Sequence, residues 1–314
     1  MNSNHRHEIK LHNGDREFTT ISNLSEVDVF QGATRKWNRV IILLHGFPDD
    51  VSSFDDIWPY ITSGFPNDKL LVLSPYMRGY EKSSQGSFNE YSLNHLASDV
   101  EAWILNINAG KVPVHLIGHD WGALVSYKAA ELYPELITSI VTLAIPYLSV
   151  IRLWEYPLYV PVQIYNSSYM LTMQIPYLYR SRLEQTGNNT YLDNLWKYWS
   201  PGWKFGQNEI GHVKATFGKE GVIDSATAYY RCLVKPFNIL QIKWKVDFQK
   251  VPTLTIGGEQ DGCMSKGLYE LVKWKLQGTE NFGTKLLPHS GHFLQREQPQ
   301  QVAELALSWF ERFP

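Results

Sequence analysis

The most constraining stretch of the chain is Ile117-Gly118-His119-Asp120-Trp121-Gly122-Ala123. It follows the apolar run 114–117 and precedes Leu124-Val125-Ser126-Tyr127-Lys128-Ala129-Ala130, rich in small and helix-forming residues. That order predicts a strand, a tight turn and a helix. Glycine on either side lets the turn be sharp enough to lift one side chain above the edge of a sheet. The lifted side chain is a carboxylate. A serine alkoxide attacking a saturated carbon would leave an ether, which resists hydrolysis. A carboxylate attacking the same carbon leaves an ester, which activated water can cleave. Asp120 therefore points to displacement at an sp3 carbon rather than to acyl transfer.

The rest of the chain supplies a sheet for this turn to stand on. Residues 8–11 and 18–21 flank the turn signal Asn13-Gly14-Asp15 and predict a hairpin. The run 40–44 is wholly aliphatic and predicts a parallel strand buried on both faces. Further strands are predicted at 70–73, 114–117 and 137–144, and a helix at 92–106 with Ser92 as its cap. From 147 to 235 the pattern changes. Pro157, Pro161, Pro176 and Pro201 punctuate short helix-like pieces dense in tyrosine and tryptophan. Strand spacing returns at 252–256 and 285–287. Val302, Leu305, Ala306, Trp309 and Phe310 mark one face of a closing amphipathic helix. The expectation is an α/β fold, a mostly parallel sheet flanked by helices. Residues 1–146 and 236–314 would form the core domain, and 147–235 a helical cap inserted after the sixth strand.

Composition narrows the partners. The chain has 314 residues and a formal charge of −2, with Lys and Arg scattered, so a nucleic-acid partner is not expected. The first ten residues are polar and lack the apolar core of a signal peptide. No apolar run approaches the roughly 20 residues needed to span a bilayer. Asn166-Ser167-Ser168 and Asn188-Asn189-Thr190 match the glycosylation pattern by chance on this reading. Cys232 and Cys263 are too few for a disulfide framework. The expectation is a soluble cytoplasmic protein. Oligomeric state is left open, a homodimer included.

Four loops that follow predicted strands carry candidate chemistry: 45–49, Asp120, Asp261 and His292. In doubly wound sheets the loops at the carboxyl ends of strands hold the site. His289 competes with His292, but it follows Pro288 at the strand exit, whereas Gly291-His292-Phe293 lies in the loop before the last helix. Glu259 competes with Asp261 and reads as a surface acid. His45 and His119 read as structural, and Cys263 as a small core filler. The backbone amides of Phe47 and Trp121 are the candidate oxyanion donors. The start of the helix at Trp121 also favours an ionised Asp120. The histidines have no metal-ligand spacing, so neither metal nor other cofactor is expected.

The elbow, with aspartate at the serine position, and the order Asp120…Asp261…His292 resemble α/β-hydrolases. More closely, the chain resembles the epoxide hydrolases of that superfamily, from about residue 40 to the end. The carriers are His45-Gly46-Phe47-Pro48, Gly118-His119-Asp120-Trp121-Gly122, Asp261 and Gly291-His292-Phe293. Family members open the epoxide with two cap tyrosines, the first in a Tyr-x-x-x-x-Gln-x-Pro segment. Tyr169-Met170-Leu171-Thr172-Met173-Gln174-Ile175-Pro176 fits that form. Tyr229-Tyr230-Arg231 matches the second, assigned to Tyr230 with Tyr229 as the fallback. The resemblance implies a small apolar epoxide and water as substrates. Haloalkane dehalogenases share the aspartate elbow and Trp121, but commonly place an amide side chain where Phe47 stands. Fluoroacetate dehalogenases resemble His-Asp-Arg at the elbow, which Trp121 contradicts. One departure is Pro75-Tyr76-Met77-Arg78-Gly79-Tyr80-Glu81, where the family usually resembles Pro-Asp-x-Arg-Gly-Tyr-Gly.

Overall fold

The computed structural model of the chain describes residues 6–30, 37–107, 109, 112–184, 190–235 and 244–314. Residues 1–5 of the polar N-terminus, Asn188 and Asn189 of the second glycosylation match, and the start of the second core segment at 236 lie outside the described residues. Eight strands form one sheet: β1 (His7–Asn13), β2 (Arg16–Ser22), β3 (Arg39–Leu44), β4 (Leu70–Pro75), β5 (Val114–His119), β6 (Ser139–Leu143), β7 (Thr253–Gly258) and β8 (Phe282–Leu287). Their order is β1-β2-β4-β3-β5-β6-β7-β8. The hairpin β1–β2 joins β4 antiparallel, and from β4 to β8 every pairing is parallel.

Side-chain alternation on β3 explains the sandwich. Val40, Ile42 and Leu44 point into one core, together with residues of the helices Leu93–Asn106 and Trp121–Leu132. Ile41 and Leu43 point into the other, against the helices Trp58–Thr62 and Pro299–Arg312. With both faces covered, the strand reads as a continuous apolar run rather than an alternating one. Because β3, β5, β7 and β8 run parallel, the loops that follow them open on the same edge of the sheet.

Between β6 and β7 all the regular elements among the described residues are helical. They are Glu155–Tyr159, Pro161–Asn166, Tyr169–Thr172, Pro176–Leu183, Thr190–Trp199, Gln207–Phe217 and Val222–Leu233, with a short 3-10 turn at Leu148–Val150. Pro161 and Pro176 sit in the first turns of their helices, where the missing N–H costs nothing. Two local expectations change. Strand β8 starts at Phe282 rather than 285, through Gly283 and Thr284, which carry weak apolar signal. Ser92 does occupy the cap position of its helix, but its hydroxyl makes no capping bond and instead meets His95 Nδ1 at 2.8 Å.

The helix Trp121–Leu132 packs against β3 with backbone on backbone. A Cβ placed on Gly122 would lie 2.0 Å from the Leu44 carbonyl oxygen, and one on Gly118 would lie 2.3 Å from the Gly122 oxygen. Neither neighbour can rotate away. The substitution Gly122→Ala should therefore cost about 2 kcal/mol or more, read as a lower thermal midpoint or a loss of soluble protein. A wild-type midpoint would show that the helix can slide on the sheet.

Candidate active site

The turn between β5 and its helix holds Asp120 at φ 50°, ψ −114°, a conformation that non-glycine residues seldom adopt. Gly118 and Gly122 make it affordable by letting strand, helix and β3 close around it. Gly46 has no room for a Cβ either, which would lie 2.4 Å from the Cβ of Asp120. The loop after β3 is thereby pressed onto the carboxylate. The Phe47 N–H donates to Asp120 Oδ1 at 2.8 Å. The Trp121 amide opens the helix, where the first N–H groups have no partner within the helix itself.

The loops after β7 and β8 bring Asp261 and His292 to the same carboxylate. His292 Nδ1–H donates to Asp261 Oδ2 at 2.9 Å, and His292 Nε2 faces Asp120 Oδ2 at 3.7 Å. Asp261 Oδ1 accepts from the amides of Cys263 (2.6 Å) and Met264 (2.9 Å). All three residues are buried, so their charges act through little solvent. Burial opposes the protonated ring, but the carboxylates of Asp261 and Asp120 outweigh it and raise the His292 pKa from 6.5 to about 10. Burial likewise opposes the Asp120 anion, and the facing His292 together with the Phe47 amide overcomes it, so that its pKa is lowered. The resting arrangement is a row of carboxylate, imidazolium and carboxylate.

Tyr169 and Tyr230 reach this row from the helical insertion. Their hydroxyls lie 3.4 Å apart. The Tyr230 ring packs on Phe47 (5.3 Å between centroids) and Trp121 (5.0 Å), the residues that flank Asp120. Burial above all raises both phenol pKa values far beyond the ordinary range, so both keep their protons. Tyr229 points elsewhere: its O–H donates to the Arg78 carbonyl at 2.6 Å, and the Arg78 guanidinium is held by buried Asp99, with Nε to Oδ2 at 2.8 Å. The expected pair is thus brought together as Tyr169 and Tyr230, and the fallback is engaged outside the site. His289 and Glu259 are exposed on the surface. Cys263 is buried as expected, yet it borders the site, its Sγ 3.9 Å from the Tyr169 hydroxyl.

His45 and His119 act as neutral braces. Burial lowers His45 to a pKa of about 4. Its Nε2 accepts from the Met77 amide at 3.0 Å and its Nδ1 meets the Gly46 carbonyl at 3.1 Å. Burial also lowers His119 to about 3, and its Nε2–H donates to the His292 carbonyl at 3.0 Å. Asp49, buried beside it with Oδ2 3.9 Å from His119 Nδ1, is pushed up by burial to about 7.

The grip that the insertion exerts on the site was not expected from the sequence. The Trp199 carbonyl accepts from both the Gly262 amide (3.1 Å) and the His292 amide (3.0 Å). Ser200 Oγ also accepts from the amides of His292 (2.9 Å) and Phe293 (3.2 Å), while its hydroxyl donates to Glu297 at 2.8 Å. Cβ atoms on Gly262 and Gly291 would lie 2.1 Å from the Tyr198 oxygen and 2.4 Å from Ser200 Cα. The only advance signal is glycine at both positions, one residue after Asp261 and one before His292.

Comparison with known proteins agrees with this architecture. The family model described as alpha/beta hydrolase fold matches residues 39–170. Together with the sheet order and the elbow, this match identifies the α/β-hydrolase fold. The chain is similar to epoxide hydrolase 3 of Mus musculus, 28% identical over 84% of this chain and 68% of the relative. It is also similar to an AB hydrolase superfamily protein of Bacillus subtilis, 26% identical over 89% and 92%. Among solved structures, potato (Solanum tuberosum) epoxide hydrolase I superposes with a TM-score of 0.73 at 19% identity, covering 98% of this chain and all of that one. An epoxide hydrolase from Vigna radiata gives 0.74 at 18% identity, covering 98% of both. The structural likenesses carry the fold.

The raised His292 pKa makes a prediction for stability. A group whose pKa is higher in the folded than in the unfolded chain stabilises the fold fully below its unfolded pKa. For His292 that contribution is complete below about 6.5 and is lost as pH rises through about 10. Across that window the wild-type thermal midpoint should fall more steeply than that of His292→Gln. Parallel curves would mean that the ring is neutral in the folded protein.

Proposed function

We propose that this protein hydrolyses epoxides to vicinal diols through a covalent ester on Asp120, in a core of residues 1–146 and 236–314 capped by 147–235. The observation that supports this reading is a pair of phenol hydroxyls 3.4 Å apart, Tyr169 and Tyr230, with the Tyr230 ring packed on the Phe47 whose amide holds Asp120. An epoxide oxygen departs as an alkoxide and needs O–H donors; a halide departs without a proton and does not. The curated relatives named epoxide hydrolase support the same reading.

Oδ2, the Asp120 oxygen not held by Phe47, attacks a ring carbon while the tyrosines hydrogen-bond the epoxide oxygen. The C–O bond of the ring breaks and an ester forms. The alkoxide takes a proton through the tyrosines, and the proton balance closes on His292. The ion pair of imidazolium and carboxylate becomes a neutral imidazole beside a neutral ester. Loss of the Asp120 charge removes one of the two anions that hold the His292 proton, so the ring becomes a base only after the ester has formed. Neutral His292, oriented by Asp261, then takes a proton from water, which attacks the ester carbonyl. The Phe47 and Trp121 amides stabilise the oxyanion. Collapse returns the Asp120 carboxylate and the His292 imidazolium, and the second proton of the water leaves with the diol.

The decisive experiment is a single turnover in 18O-labelled water. Label should enter the Asp120 carboxylate and be absent from the first diol; label in that diol would overturn the ester. Halide release from haloalkanes without diol formation from epoxides would overturn the substrate class. Asp120→Asn should lower turnover on the order of a thousandfold or more, and Tyr169→Phe or Tyr230→Phe about a hundredfold each.

Ser200 holds the His292 loop without facing the carboxylate, so its loss should affect most the step in which His292 activates water. Ser200→Ala removes the hydroxyl that accepts from the His292 and Phe293 amides and donates to Glu297, and should slow ester hydrolysis about tenfold or more. Ester formation, for which Asp120 is the nucleophile, should slow less, and the alkylated enzyme should accumulate in a mass spectrum. Equal slowing of both steps would make Ser200 a general packing residue.

A further inference from the structure

More than half of the exposed large apolar side chains among the described residues come from one stretch, 153–177. Leu153 is 85% exposed, Tyr177 79%, Leu171 71% and Tyr165 69%, with Trp154 and Leu158 beside them in sequence. These residues belong to four consecutive short helices, or precede the first of them, on the insertion. The side chains on the other face of the strip fasten it to the body. Gln163 Nε2 donates to the Cys263 carbonyl at 2.8 Å, and its Oε1 accepts from the Ser265 amide at 2.9 Å. Within the insertion, Asn166 accepts from the Tyr198 hydroxyl at 3.1 Å. From 153 to 179 the only charged side chain is Glu155, which is buried and paired with Lys275 at 2.7 Å. The inner side is polar and bonded. The outer side is apolar, aromatic and free of charge.

We propose that this outer side seats the protein on a phospholipid surface, taking apolar substrate from the lipid into the site beneath. Tryptophan and tyrosine mixed with leucine is the composition that settles at the boundary between headgroups and acyl chains. Helices of four to eight residues are too short to cross a bilayer but can lie on one. The charges at the edge of the strip set the kind of lipid. Arg180 is committed to Asp224 in two hydrogen bonds of 2.9 and 2.8 Å, and Arg182 donates to Thr172 at 2.9 Å. Arg152, exposed just before Leu153, is one further cation at the edge; with Arg180 and Arg182 engaged and no exposed acid in the strip, the contact is chiefly apolar and suits zwitterionic headgroups. Tyr169 lies in the same strip, with its hydroxyl against that of Tyr230, so the lipid-facing surface and the site share one element. The contact itself rests on the exposed residues; only its use in substrate delivery rests on the epoxide reading.

The test is flotation of the full chain with phosphatidylcholine vesicles, which needs no turnover and therefore fails or succeeds apart from the proposed reaction. The wild type should float with the vesicles, and 0.5 M salt should leave the bound fraction unchanged. The double variant Leu158→Glu/Tyr177→Glu should lose binding at least tenfold while keeping the wild-type circular dichroism and its rate on a water-soluble epoxide. No flotation of the wild type would overturn the proposal, as would flotation only with anionic vesicles and its loss in salt. Undiminished binding by a folded double variant would overturn it too. A concentration-dependent dimer that the double substitution abolishes, without vesicle binding, would assign the face to a second copy of the chain instead.

Discussion

A buried negative charge at Asp120 is the constraint that the rest of the site answers to. Taking a carboxylate out of water costs several kcal/mol unless partners replace the lost hydration. Here the partners come from separate places in the sequence. Phe47 comes from the loop after β3, His292 from the loop after β8, and Asp261 fixes His292 from the loop after β7. The parallel sheet delivers all of them to one edge. The fold is thus a way of solvating one anion with protein, and the same solvation keeps that anion poised in a strained turn.

The charge row is also a timing device under the proposed mechanism. An imidazolium cannot accept a proton from water, so premature activation of water is blocked while Asp120 remains an anion. Neutral His119 and His45 matter for the same reason. A second and third positive ring near His292 would compete for the two carboxylates, and burial keeps both uncharged.

Much of this architecture was legible in the sequence, for identifiable physical reasons. Strand β3 announced itself because a strand buried on both faces has no alternation to confuse with a loop. The elbow was legible because sharp turns need glycine at fixed positions. Asp261, His292, Tyr169 and Tyr230 were named from motif and chain order, and the structure gathers them around Asp120. Tyr229 and Tyr230 could not be told apart by spacing alone; the Arg78 carbonyl that engages Tyr229 lies on a loop 151 residues away. The 198–200 stretch was illegible for a similar reason. Its role runs through backbone carbonyls and the gaps left by Gly262 and Gly291, and a carbonyl looks the same behind every side chain. The start of β8 is illegible because Gly283 and Thr284, half-buried on the edge strand, carry little apolar signal.

The Trp199 carbonyl, shared between the amides that follow Asp261 and belong to His292, joins the insertion to the sheet more intimately than a lid that merely rests on a finished site. Inserted helices of this kind invite exchange between relatives, as if substrate preference were a detachable module. In this chain the graft would have to carry its own 198–200 backbone at the same height, or the imported cap would unseat the histidine it was meant to serve. Specificity and competence are here inherited together, through the Trp199 carbonyl and the Ser200 hydroxyl beside it.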